Sequence, residues 1–231
     1  SCTDMENAMK TSKTEHPDWL GLPSLFPHPV CHVGVPRGPK SVSLGALMNH
    51  KGDAVASENT DVTLWYDKRA LYLKARCHTA GMDRIRELAA RRIPYARDAW
   101  GDDAIEVSID PQQTRLKHRH FILPPNRLAI TFIGSNNRQE QGWNPPFDYR
   151  VTLEEHAWVI EASFPFAMFG RTPKKGETRG FNVLRVNKSE PTGYVQWAPT
   201  FGDALRTELL GEVQFSGTPG DRAAEIATYA R

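Results

Sequence analysis

Ala104-Ile-Glu-Val-Ser-Ile-Asp110 alternates apolar and polar residues with a period of two. Successive side chains of an extended chain project to opposite faces, so Ile105, Val107 and Ile109 point one way and Glu106 and Ser108 the other. A helix would scatter the three apolar residues around its axis, so the run reads as a strand. Upstream, Val62-Thr-Leu-Trp-Tyr66 and Ala70-Leu-Tyr-Leu-Lys-Ala-Arg-Cys77 are two β-rich runs joined by the polar turn Asp67-Lys-Arg69. They read as a hairpin. Further strands are expected at about 118–123, 128–133, 147–153, 157–163, 181–187, 193–197 and 211–215. One segment departs from this pattern. Gly81 to Arg92 sets Met82, Ile85, Leu88 and Ala89 at i, i+3, i+6 and i+7, an amphipathic helix stopped by Pro94. Many short strands with one inserted helix predict an all-β fold, an antiparallel β-sandwich of immunoglobulin or jelly-roll type.

The flanks differ from this centre. Residues 1–40 hold six of the 17 prolines and no apolar period, yet Trp19, Leu20, Leu22, Leu25 and Phe26 are too apolar for a free linker. An extended arm packing over a domain of residues 41–217 is expected, followed by a tail at 218–231 with a short helix at Arg222–Tyr229. The 231 residues suit one large domain with arms. The 29 basic residues nearly balance 27 acidic ones, for a net charge of +2 with the signs interspersed. That excludes the basic footprint of a dedicated nucleic-acid binder. No apolar run approaches the roughly 18 residues of a membrane span. Three cysteines, Cys2, Cys31 and Cys77, cannot form a complete disulfide framework, and Cys31 and Cys77 can pair or remain thiols. Cys2 so close to the first residue fits a processed bacterial lipoprotein leader, and a secreted, periplasmic or cell-surface location is expected.

An ordered set of segments carries more. These are Leu64-Trp-Tyr-Asp67 with Ala70-Leu-Tyr-Leu73, then Trp100-x-x-Asp103-x-x-Glu106-Val-x-Ile-Asp110, Trp158-Val-Ile-Glu-Ala162 and Phe164-Pro-Phe166. Gly180-Phe-Asn-Val-x-Arg185, Gln196-Trp-Ala-Pro199 and Gly211-Glu-Val-Gln-Phe215 complete it. Over about residues 40–215 the chain resembles the family 9 carbohydrate-binding modules, whose β-sandwich is shared with the wider DOMON group. The resemblance implies non-catalytic binding of a terminal sugar ring of a β-glucan or xylan type chain, clamped between two tryptophans. By motif position these are Trp100 and Trp197, with Glu106 and Arg185 on the sugar hydroxyls and Asp103 fixing the loop that holds Trp100. A pyranose has an apolar C–H face and a polar rim, which is why aromatic rings and charged groups suit it together. Two family contacts are replaced here, by Thr79 and Ile122, so His78 and His120 are candidate substitutes. Trp143 is a candidate for the rim or an edge cap, whereas Trp65 and Trp158 read as structural.

Rival readings use the same residues. Asp102 and Glu106 could act as a hydrolytic carboxylate pair. His78, His118 and His120 could hold a metal. A haem b redox module of DOMON type would draw axial ligands from Met82, Met168, His78 or His120. The resemblance also implies structural calcium, for which Asp61, Asp67, Asp103 and Asp110 are the oxygen-ligand candidates.

Overall fold

A computed structural model describes residues 31–38, 40–92, 102–135, 138–216 and 227–228. The period-two runs become strands whose apolar residues face each other across two sheets. In the hairpin, β3 (Thr60–Tyr66) and β4 (Ala70–His78) pair antiparallel. They put Val62, Leu64, Tyr66, Leu71, Leu73, Ala75 and Cys77 into the interior. With β2 (Val42–Ser43), β9 (Asp148–Leu153) and β10 (Ala157–Pro165) they form a five-stranded sheet in the order β2-β3-β4-β10-β9. The opposing nine-stranded sheet contains β1 (Cys31–Val35), β5 (Ala104–Asp110), β6 (His118–Leu123), β7 (Ile130–Ser135) and β8 (Arg138–Glu140). Its other members are β11 (Thr178–Val186), β12 (Tyr194–Gln196), β13 (Gly211–Phe215) and β14 (Ala227–Thr228). The order is β14-β1-β13-β11-β5-β6-β7-β8, with β12 also on β11. Val107, Phe121, Phe181, Val183 and Val213 from this sheet meet Leu73, Trp158, Ile160 and Phe164 from the other.

The helix α1 (Met82–Ala90) buries Met82, Ile85 and Leu88, the expected stripe, and ends at the extended Arg91. Both sheets are antiparallel apart from one pair, β1 with β13, which run parallel with Val33 opposite Val213. This corrects the expected arm: residues 31–35 are an integral strand of the large sheet. Residues 227–228 pair with Cys31 and His32 where a helix is expected, so this part of the tail is extended. Both differences have one cause. A strand that is too short to show a period is created by its partner, which here lies nearly the whole chain away. Residues 1–30 and 39 of the expected arm, and the rest of the expected tail helix, lie outside the described residues.

Cys31 and Cys77 are buried free thiols in different sheets. Burial pushes each up to about 12.

Candidate functional site

β5 is buried along its whole length, on both faces. The inner face belongs to the sandwich core. The outer one carries a polar chain built by register. Ser108 pairs with His120 across β5 and β6, His120 with Phe132 across β6 and β7, and His118 with Gly134. Period two then sets Glu106, Ser108, His118 and His120 on one surface. His120 Nε2 lies 2.8 Å from Glu106 Oε2, and its Nδ1 lies 3.0 Å from Ser108 Oγ and 3.3 Å from His118 Nε2. His118 Nδ1 is 2.8 Å from Thr207 Oγ1. A carboxylate only accepts, so His120 Nε2–H donates to Glu106; the Thr207 hydroxyl can then donate to His118, and His118 Nε2–H to His120. Burial holds the His118 imidazole well below its usual range, and His120 and Arg119 push the same way. Leu205 packs here against Ala104, Ile122 and Phe132, so the segment that follows β12 closes over the chain. Beside it, Asn182 donates to the Ala198 carbonyl, and Gln196 donates to Thr200 Oγ1.

At one end this covered face opens into a rim. Ala104 pairs with Val186, and Val186 with Tyr194, so β5, β11 and β12 reach it together. The Tyr194 hydroxyl donates to the Gly202 carbonyl at 2.8 Å, and Phe201 N–H donates to the His50 carbonyl at 2.9 Å. The His50 and Tyr194 rings stand 6.2 Å apart. Phe201 holds φ = +55° and is 36% exposed. A bulky aromatic in the left-handed region is strained, and such strain gathers at ligand sites. Burial raises the Tyr194 phenol, with Asp203 and Glu106 adding to the effect. Asp102 sits at the same end, 3.2 Å from Arg91.

The expected site residues divide. Trp100 lies outside the described residues, four positions before β5. Glu106 and His120 are brought together, but both are buried, as is Asp103. Arg84 lies against Asp103, whose carboxyl burial raises above its usual value. Trp197 is turned the other way: its ring packs edge-on against Phe181 at 5.9 Å and it is 3% exposed, while its backbone N–H donates to the Val183 carbonyl. A ring in that position shows no face to a sugar. Arg185 pairs with Ile105, hence faces inward, whereas Glu106 pairs with Leu184 and faces outward. Arg185 instead ties the two sheets together, donating to Thr60 Oγ1, the Asn59 and His78 carbonyls and Glu58 Oε2. His78 lies on the small sheet beside Asp61 (2.9 Å) and Arg76. Trp143 caps an edge, stacked under Arg119 and edge-on to Phe121.

Among the described residues, the rival groupings do not come together. His78 is on the opposite sheet from His118 and His120. Met82 sits in α1, and Met168 follows the Ala70 end of β10, the far end from His78. Asp102 is engaged by Arg91, and Glu106 is buried and held by His120. For calcium, Asp61 lies within β3 and Asp67 follows it, whereas Asp103 precedes β5 and Asp110 ends it in the other sheet. Asp67 accepts the Arg69 and Ala70 amides, and Asp110 those of Gln112 and Arg115. Among the described residues no three His, Cys, Asp or Glu gather as a metal shell.

Residues 38–218 match the carbohydrate family 9 binding domain-like family. The chain belongs to that family. Two solved structures have the same fold as this family 9-like domain, both of a carbohydrate-binding module family 9 from Caldicellulosiruptor kristjanssonii. One, in complex with glucose, is 17% identical with a TM-score of 0.57, covering 83% of this chain and 98% of that one. The other, in complex with cellotriose, is 16% identical with a TM-score of 0.56, covering 82% and 96%. No curated protein matches. The rim aromatics of the family 9-like domain, Tyr194 and Phe201, escape a reading of motifs. Tyr194 stands in a strand of three residues, and only the backbone angle of Phe201 marks it out.

Proposed function

We propose that this domain binds carbohydrate without transforming it, holding the terminal ring of a β-glucan or xylan type chain at the rim where β5 and β12 arrive. Phe201 and Tyr194 supply one aromatic side. Trp100, the motif residue four positions before β5 in the sequence, is the candidate for the other, in place of the inward-facing Trp197. The observation that carries this reading is Phe201, half-exposed in a left-handed backbone beside Tyr194 and the polar chain that ends on Glu106. The buried chain serves as the rigid floor that fixes the rim. Glucose and cellotriose in the two similar structures support a glucan-type ligand.

If each stacked face removes roughly 100 Å² from water, it contributes about 2–3 kcal/mol. Association costs consume much of this, so affinity is expected between about micromolar and millimolar. Titration with glucose, cellobiose and xylobiose, followed by tryptophan fluorescence and calorimetry, tests the assignment. Phe201→Ala and Trp100→Ala should each weaken binding about ten-fold or more, and Trp197→Phe should leave it within about two-fold. Unchanged binding in the first two variants refutes the rim. Release of reducing sugar that disappears in Glu106→Gln refutes the non-catalytic reading.

A further inference from the structure

Among the described residues, the chain between β12 and β13 forms no strand. Residues 200–209 run instead as a strap over the outer face of the large sheet, ending in a 3₁₀ turn at Thr207–Leu209. The backbone bonds of the strap are largely its own: Arg206 N–H donates to the Asp203 carbonyl and Leu209 N–H to that of Arg206. At the rim, Phe201 N–H reaches the His50 carbonyl, and the Tyr194 hydroxyl reaches the Gly202 carbonyl. Further along, Leu205 packs on Ala104, Ile122 and Phe132, and Arg115 Nη1 approaches the Glu208 carbonyl at 3.5 Å. Thr207 Oγ1 meets His118 Nδ1 at 2.8 Å, with both residues fully buried. A segment outside the sheet ladders and held mainly by side chains opens at lower cost than the strands beneath it. Phe201 adds to this, because its left-handed backbone relaxes once the strap leaves.

Thr207 is also where the buried polar chain ends. With the chain neutral, its hydroxyl donates to His118 Nδ1, and His118 Nε2–H donates to His120 Nδ1 at 3.3 Å. A proton added to His118 occupies Nδ1, so the Thr207 hydroxyl loses that acceptor in a buried place. A proton placed on His120 Nδ1 forces His118 into the tautomer whose N–H points at Thr207, with the same result. The charged groups around His118 do not offset this. On β6, His120 and Arg119 both oppose a cation there. On β5, Glu106 is taken up by His120 Nε2 at 2.8 Å, and Ser108 is neutral. β7 presents Gly134 and Phe132, while β11 and β12 add the neutral Asn182 and Tyr194. On the strap, Glu208 pairs with Arg206 at 2.8 Å and Asp203 accepts the Leu205 N–H. Lys117 pairs with Glu140, and Arg115 with Glu212. Among the described residues no carboxylate lies against His118 itself.

We propose that residues 200–209 are an acid-released strap, latched shut by Thr207 on His118 and held open when that imidazole takes a proton from solvent, so that Phe201 leaves the rim. The sign follows from linkage. Closed, His118 is held well below its usual range by burial; opened, it meets water and takes up a proton near pH 6.5. The open form therefore binds one proton more than the closed form. The strap is shut above about pH 7, and its opening constant rises by up to about ten-fold for each pH unit below 6.5. With Phe201 gone from the rim, the sugar site loses one aromatic side and its affinity falls in acid. Only this last consequence rests on the carbohydrate-binding reading.

Hydrogen exchange of the ¹⁵N-labelled full chain without sugar, followed by NMR between pH 7.5 and 5, tests the strap. The Phe201, Arg206 and Leu209 amides should be well below β3, β4 and β10 in protection at every pH. Below pH 6.5 their protection, corrected for intrinsic exchange, should fall toward about ten-fold per unit. His118→Asn keeps an acceptor for Thr207 but removes the titrating group, so strap protection should not vary with pH. Thr207→Val keeps the shape and removes the latch, and should lower strap protection about ten-fold at pH 7.5. In wild type, protonated His118 ring signals should grow only as strap protection is lost. Strap amides as protected as the strands, protection that holds to pH 5, or a pH slope that survives in His118→Asn overturns the proposal. So does unchanged protection in Thr207→Val, or a His118 ring that takes a proton beneath a protected strap. Cellobiose at ten times its dissociation constant should raise strap protection about ten-fold at pH 5.5. Cellobiose that binds by calorimetry without that rise overturns the link to the rim. Absence of sugar binding at any pH overturns the carbohydrate reading alone, since acid release is read without sugar.

Discussion

Gly134→Ala probes the buried polar floor with the smallest change available. A Cβ at this position would lie 2.3 Å from both Cε1 and Nε2 of His118. Non-bonded carbon contacts settle near 3.5–4.0 Å, so the imidazole has to retreat by about an ångström or more. It has nowhere to go. The ring is fully buried, with Nδ1 on Thr207 Oγ1 at 2.8 Å and Nε2 on His120 Nδ1 at 3.3 Å. Overpacking typically costs about 1–3 kcal/mol, and a displaced buried hydrogen bond about as much again. A total of about 2–6 kcal/mol corresponds to a fall in melting temperature of roughly 4–24 °C for a domain of this size. Urea denaturation and thermal melts of four proteins close a double-mutant cycle: wild type, Gly134→Ala, His118→Ala and the double variant. Once the ring is gone the added methyl has room, so Gly134→Ala should cost little in the His118→Ala background. The coupling should then be about 2 kcal/mol or more. A Gly134→Ala variant that melts within about 1 °C of wild type, or costs that simply add, would refute the locked arrangement.

Other outcomes follow from the same geometry. Native His118 stays neutral below the pH at which the unfolded chain's histidine, near 6.5, takes a proton; stability should therefore be full above pH 6.5 and fall as pH drops below it. The slope should approach about 1.4 kcal/mol per pH unit and flatten in His118→Gln, as measured by urea midpoints between pH 5 and 7. Cys31 and Cys77, with thiols pushed up to about 12, should resist a thiol reagent at pH 8 in the folded protein and react on unfolding; rapid native labelling would contradict their burial. Phe201→Gly should raise stability by about 1 kcal/mol by relieving the left-handed backbone while weakening sugar binding, and a variant that binds normally would show that the strain has no bearing on the ligand. Arg185→Met removes one partner of a buried ion pair and should cost about 3–5 kcal/mol in denaturant unfolding, with sugar affinity unchanged in the folded fraction.

The period-two run of β5 determined by itself which of its residues share a face, β-rich composition marked β3, β4, β6, β9 and β10 as strands, and Met82, Ile85 and Leu88 determined the buried side of the helix. Their alternation is local, and burying one face is how an isolated strand or helix gains stability. The ordered motifs around Trp100, Glu106 and Trp197 likewise carried the family. What those motif residues do was decided in three dimensions. Trp197 and Glu106 both lie in well-matched segments, yet one enters the core and the other a covered outer face. Arg185, one register step from the outer face, became a staple between sheets. β1 and β14 exist only because the ends of the chain find each other, and Phe201 is set apart by a backbone angle that no residue pattern encodes. A strand's face follows from its own period. Which face is covered, by what, and where the covering stops depends on segments brought together by packing, and only the folded chain contains that information.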